Sequence, residues 1–321
     1  MSETILKKIA RPLIVIATII WGSTFFILKD TLDDVSVYFM LAFRFTIAAV
    51  VLALVFWKRW KNFDKSYLLA GGIMGTFLFL AYAVQNFGLI GTTPGKNAFF
   101  TAVYCVIVPF LYWVINKTRP DKYNVIAAVL CLAGIGFVSW DSGLAFSMGD
   151  ALTLISGFLY ACHIVTVSHF SKGKDIFLLT VLQFAGVAIW AWICTAFTGG
   201  MPSAGLPTRA WIVLLYLAIA ATTLALLFQN VGQKYTDPSA AAVLLALEAP
   251  FGVLFSVLFA DERPTVFMIL GFFLIFVSII CSETKFSFFS AKKCEMGVDK
   301  FETDEYNANN NPTRQTCEKE E

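Results

Sequence analysis

Apolar residues fill this chain in long blocks, separated at short intervals by charges and turn-forming residues. A helix needs about 17–25 mostly apolar residues to cross a bilayer. Reading for such runs gives ten: 12–28, 36–57, 67–90, 95–115, 123–140, 149–169, 176–198, 209–232, 238–260 and 265–282. Several connections are very short, KTRPDK at 117–122 and DERP at 261–264 among them. The first run follows Lys7, Lys8 and Arg11 as a signal peptide would. It continues through WGSTFFIL with no small-residue cleavage pattern, and so reads as an uncleaved span. From residue 284 the chain turns polar, ends EYNANNNPTRQTCEKEE, and reads as a disordered tail.

The blocks repeat. QNFGLIGTTPGKNA from Gln85 parallels QNVGQKYTDPSAAA from Gln229. Gln85/Gln229, Asn86/Asn230, Gly88/Gly232, Pro94/Pro238, Arg119/Arg263 and Pro120/Pro264 all differ by 144 positions. The mid-span prolines Pro109 and Pro250 differ by 141, a local shift of three. Each half holds five spans. Five is odd, so the second copy must enter the membrane from the opposite face, as in transporters built on inverted repeats. The expected fold is therefore all-α and integral to the membrane, with ten transmembrane helices as two inverted five-helix repeats at 1–142 and 143–283, and a cytoplasmic tail at 284–321.

Charge orients this arrangement. With the N-terminus inside, loops on the cytoplasmic side hold sixteen Lys and Arg, against four on the other (Lys29, Lys96, Arg209 and Arg263). That asymmetry predicts both termini in the cytoplasm. Composition agrees: 58% of the 321 residues are hydrophobic and 14% charged, where soluble domains carry roughly a quarter charged residues. The net charge of +2 and the scattered basic clusters point away from a nucleic-acid partner. The partners expected are the lipid bilayer and a small molecule. Five cysteines (Cys105, Cys131, Cys162, Cys194 and Cys281) lie in apolar runs and Cys294 and Cys317 in the tail. None has a CxxC or metal spacing, so they read as small apolar fillers, and no cofactor or metal is expected.

Taken together, WGSTFFILKD in the first span, RFTIAAVVL in the second and GDALTLISGFLYACHIVTVSHFSK in the sixth resemble the EamA-type drug/metabolite transporters. LEAPFGVLFSVLFADERPTVFMILGFFLIF across the last two spans does the same. The resemblance covers about residues 12–283. It implies a ten-helix fold, alternating access and export of amino acids or related metabolites in a bacterial cytoplasmic membrane. INKTRP departs from the family pattern by lacking the acidic residue that DERP keeps.

Polar side chains inside spans are costly and tend to face the bundle interior. Arg44 and Glu248 are the two charges well inside. Glu248, two residues before Pro250, suits a proton-coupling site or an anchor for a substrate amine; the alternative is a structural carboxylate bonded to a neighbouring helix. Arg44, about nine residues or roughly 13 Å from the outer end of its span, is placed to hold a substrate carboxylate, to snorkel outward, or to pair with an inner helix. Tyr82, Gln85 and Asn86 share one face of the third span; Gln229 and Gln233 share one on the eighth, with Asn230 adjacent. Both sets sit near helix ends where water can reach, and would line a cavity or tie helices together. Ser156, Tyr160 and His163 form one face of the sixth span, His163 being a candidate proton relay. Trp21 and Gln183 are further cavity candidates. Gly71 and Gly75 form a GxxxG that favours close helix contact. An integral-membrane enzyme or a passive channel remains the alternative, but HExxH, GxSxG and GxxxxGK[ST] are all missing from the chain.

Overall fold

The computed structural model describes residues 3–117, 119–140, 146–202, 205–259 and 263–284. The tail, Asp141 and the acidic pair Asp261 and Glu262 of DERP lie outside the described residues. Among those described, the apolar runs are all helical: α1 (Glu3–Gly22), α2 (Thr24–Thr31), α3 (Val37–Val55), α4 (Lys65–Ile90), α5 (Pro94–Thr101), α6 (Tyr104–Asn116), α7 (Lys122–Trp140), α8 (Met148–Phe170), α9 (Ile176–Thr198), α10 (Thr208–Tyr216), α11 (Ala225–Lys234), α12 (Pro238–Leu245), α13 (Glu248–Phe259) and α14 (Val266–Thr284). A 3-10 turn at Trp57–Asn62 follows α3, and a π-helical stretch at Leu217–Leu224 joins α10 to α11.

Helices start where polar caps interrupt the apolar runs, because the first backbone N–H groups need acceptors. Ser36 accepts from Phe39 N, Asp64 from Ser66 N and Asp175 from Phe177 N. Ser147 and Asp150 form a reciprocal capping box on α8. At the repeated motif, Thr93–Pro94 opens α5 and Asp237–Pro238 opens α12, each with its cap side chain accepting backbone N–H and its proline at the first helical position.

Among the described residues, eight helical segments are long and apolar enough to cross a membrane: Glu3–Thr31, Val37–Val55, Lys65–Ile90, Pro94–Asn116, Met148–Phe170, Ile176–Thr198, Thr208–Lys234 and Pro238–Phe259. The other two expected spans, α7 and α14, carry shorter apolar stretches at Val125–Gly134 and Val266–Ser278. Three segments are broken within their length. Pro109 and Pro250 cannot donate to the carbonyl four residues back, and α5 separates from α6, and α12 from α13, on the N-terminal side of those prolines, at Ala102–Val103 and Ala246–Leu247. Although the prolines are 141 apart, the breaks keep the 144-residue spacing.

Packing follows the same register. α4 lies on α8 and α11 on α1; α5 lies on α13 and α12 on α6. α3 packs against α9. α7 meets α14 where Ser278 Oγ donates to Ala127 O at 2.6 Å and Gly134 sits against Gly271 and Ile275. Gly71 and Gly75 press α4 onto Leu182, Gln183 and Gly186 of α9, the close contact their spacing predicts.

Candidate functional site

A cavity opens at the helix breaks, between elements of both halves. Trp21, Thr24, Phe25 and Leu28 enter it from the α1–α2 junction, Arg44 from α3, and Tyr82, Gln85, Asn86 and Leu89 from α4. Asn97 comes from α5, Tyr104 from α6, Tyr160 and Ile164 from α8, Leu226 and Gln229 from α11, Leu245 from α12 and Glu248 from α13. Its free volume is about 40 Å3, measured as space open to the centre of a water molecule. A single water needs roughly 10–15 Å3 on that measure, so this conformation admits a few waters and excludes a metabolite.

Arg44 is 1% exposed, so it does not snorkel. Its Nε donates to Thr222 Oγ1 at 2.6 Å, and Thr222 Oγ1 donates in turn to Leu217 O at 2.7 Å, five residues back in the π-helical stretch. The guanidinium carbon lies 5.0 Å from the Tyr82 ring and 5.7 Å from that of Phe45, within cation–π range. Its Nη1 has no hydrogen-bond partner. Trp21 Nε1 donates to Ala221 O, also in the π-helical stretch, at 2.8 Å.

Glu248 accepts from the Tyr104 hydroxyl at 3.0 Å. These two residues are themselves 144 positions apart. Each is the first residue of its half-helix, α6 or α13, so equivalent positions of the two halves touch in the cavity. Glu248 and Arg44 share the cavity without forming an ion pair; among the described residues the ion pairs lie elsewhere.

A second network runs along α4. Tyr160 Oη donates to Gln85 Oε1 at 2.8 Å, and Gln85 Nε2 donates to Thr101 Oγ1 at 3.1 Å. Asn97 Nδ2 donates to Thr153 Oγ1 at 2.8 Å, and Asn86 Nδ2 to Tyr82 O at 2.7 Å. Tyr160 stands edge-on to both Tyr82 and Tyr104.

Two expectations need correction. Gln85, Asn86, Gln229 and Gln233 are buried, not open to water at helix ends. The glycines close by in sequence, Gly88 and Gly232, let α8 and α1 close over them. The Ser156–Tyr160–His163 face is also divided. Tyr160 reaches the cavity, Ser156 bonds back to Thr153 O, and His163 Nε2 pairs with Gln183 Oε1 at 3.1 Å between α8 and α9, outside the cavity lining. Tyr104, Asn97 and Thr222 do not stand out in the sequence. For Tyr104 a signal exists, since the 144-residue spacing carries Glu248 directly onto it.

A helical body of many membrane-length segments, with a cavity lined by residues of both halves, is that of a multi-pass membrane protein. The chain belongs to the EamA-like transporter family, whose model matches twice, at residues 9–140 and 147–284. It is similar to an uncharacterized transporter of Archaeoglobus fulgidus, 34% identical over 279 residues covering 87% of each chain. It is also similar to the biotin transporter of Escherichia coli, 24% identical over 266 residues, 78% of this chain and 85% of that one. A solved crystal structure shares the fold with a TM-score of 0.65 at 18% identity, over 85% of this chain and 96% of the other. Family and relatives point to transport and not to an enzyme.

Proposed function

We propose that this protein is a secondary transporter that moves a small metabolite by alternating access, exporting amino acids or related compounds across the cytoplasmic membrane. The observation that carries this reading is the contact of Tyr104 with Glu248, equivalent positions of two halves meeting inside a closed cavity. A site shared at the junction of two repeats can open to either face as one half rocks against the other. The exchanged helix pairs (α4 on α8, α11 on α1; α5 on α13, α12 on α6) support a two-fold relation between the halves. In this reading α7 and α14 complete ten spans, five in each repeat. The odd number inverts the second repeat, and the excess of Lys and Arg on one side puts both termini in the cytoplasm.

Glu248 is the coupling group in this reading, taking up a proton or a substrate amine in exchange for its bond with Tyr104. Biotin, carried by the Escherichia coli relative, is a second solute class for the same cavity. The test compares the small molecules released by cells making the wild-type protein with those released by cells making Glu248→Gln at equal membrane level. One class enriched outside the wild-type cells alone supports carboxylate-dependent export. Equal release from both sinks that role for Glu248. Saturable counterflow in vesicles separates a carrier from a channel, and product formation would reveal an enzyme.

A further inference from the structure

A second, wider cavity lies where helices end. It is bounded by the first turn of α1, the 3-10 turn after α3, the α8–α9 turn and the last residues of α11. About 440 Å3 of it is open to the centre of a water molecule, against about 40 Å3 in the central cavity. The ends of membrane-length helices lie at the membrane–water boundary, so this cavity opens at headgroup level, on the face that the Lys and Arg asymmetry assigns to the cytoplasm. Three cations converge there on the dipeptide Lys174–Asp175. Arg59 pairs with Asp175 at 2.6 Å and stands 4.2 Å from the Phe177 ring. Lys234 Nζ donates to Lys174 O at 2.7 Å, while Lys174 Nζ bonds Ser66 Oγ and lies 4.5 Å from the Tyr67 ring. The carboxylates do not balance them. Asp175 and Glu3, which pairs with Lys7 at 3.2 Å, stand against Lys7, Arg59, Lys174 and Lys234, a surplus of two positive charges (four minus two). Among the described residues neither Lys174 nor Lys234 has a carboxylate partner.

We propose that this cavity binds the phosphate group of an acidic phospholipid, seated between Arg59, Lys174 and Lys234. A phosphate accepts charge-assisted bonds from several donors at once, and each lysine has three donors, of which its present tie uses one. Basic pockets between transmembrane helices take acidic headgroups for this reason. The surroundings favour a lipid over a soluble ion. Arg59 lies in the run WKRWK, where Trp57 is 64% and Trp60 37% exposed, and Leu54 and Val55 on the last turn of α3 are exposed as well. Indole rings anchor at headgroup level, and the aliphatic side chains beside them can meet acyl chains. A lipid bound here joins Arg59 of the first half to Lys174 and Lys234 of the second.

The experiment titrates fluorescent phosphatidylglycerol or phosphatidylcholine into the purified full-length protein in a neutral detergent. Phosphatidylglycerol should bind more tightly by on the order of tenfold. Lys174→Gln combined with Lys234→Gln should weaken it about twenty-five-fold, at about fivefold for each basic residue, and leave phosphatidylcholine unchanged. Lys61→Gln combined with Lys65→Gln removes two exposed cations of the same face that do not line the cavity, and should change little. Equal weakening by both pairs would mean diffuse surface attraction and overturns the site, as does equal binding of the two lipids. Inorganic phosphate that displaces phosphatidylglycerol at comparable concentration overturns the lipid as occupant in favour of a soluble phosphate. If the first double variant does not fold, Lys234→Gln alone decides, a loss of about fivefold supporting the site and unchanged affinity overturning it. The readout is binding, so failure of the transport reading would leave this result standing, and the reverse.

Discussion

Glu248 shows how a single residue is read twice, once along the chain and once across the fold. Its charge within an apolar run marks it in the sequence, because burying a carboxylate is costly and demands a partner. The partner is supplied by another helix, and only packing reveals it. Tyr104 looks like one more aromatic among ten tyrosines until the repeat carries position 248 onto it. We predict that Tyr104→Phe lowers transport several-fold while membrane insertion is unchanged, because a buried acceptor loses its donor at a cost of about 1–3 kcal/mol. Flux in vesicles at matched protein level is the check. Tyr104→Phe activity equal to wild type would reduce the contact to packing. The same logic explains why Arg44 is recognisable as a candidate, whereas Thr222, an ordinary threonine, is not.

At the scale of elements, the paired glycines set how closely helices approach. A Cβ on Gly232 would stand 2.4 Å from Ile14 Cγ1 and 2.8 Å from Ala10 O; one on Gly88 would stand 2.5 Å from Thr153 Oγ1 and 3.0 Å from Gly149 O. Backbone and side-chain atoms of α1 and α8 therefore lie against these glycines of α11 and α4 and leave no room for a Cβ. Gly232→Ala is predicted to lower stability by about 1–3 kcal/mol, read as a fall in the thermal unfolding midpoint in detergent. Gly72→Ala, with nothing within 4 Å of its Cβ, should be neutral or slightly stabilising, by up to about 1 kcal/mol. Most of this level was legible from sequence, since apolar length fixes helices and Thr93–Pro94 and Asp237–Pro238 fix their starts. The interruptions were not. Prolines at 109 and 250 suggest kinks, but the breaks fall earlier, at 102–103 and 246–247, and hold the repeat spacing that the prolines themselves do not.

Across the molecule, both ends of α4 are tied. At one end Lys29 Nζ donates to the carbonyls of Leu89, Ile90 and Thr92 at 2.7, 2.8 and 2.9 Å. Beside it Asp150, nearly buried, lies 3.9 Å from Lys96 and accepts from Thr92 Oγ1 at 2.5 Å. At the other end Arg59 pairs with Asp175 at 2.6 Å, Lys174 bonds Ser66 Oγ, and Lys234 Nζ donates to Lys174 O at 2.7 Å. α4 has 26 residues, so these clusters sit roughly 40 Å apart, with the cavity between them. Both being closed agrees with its small volume. We predict that a Thr24→Cys reporter in an otherwise cysteine-free protein reacts slowly with a membrane-impermeant thiol reagent. Adding Lys29→Ala should speed labelling from one membrane face, and adding Arg59→Ala from the other. Equal rates in all three proteins would mean that the clusters do not control access.

The π-helical stretch also tells how the two halves diverged. The segment Lys65–Ile90 has 26 residues and its counterpart Thr208–Lys234 has 27. Their first residues are therefore 143 apart and their last 144. A surplus residue inside a helix survives as a π-turn, and here it lies at Leu217–Leu224, where Thr222 bonds Leu217 O and holds Arg44. The first copy carries Leu78 and Phe79 at the matching places, neither of which offers a hydroxyl. Exchanging the second segment for the first would therefore remove the hydroxyl that holds Arg44, so the two copies are not interchangeable at this place.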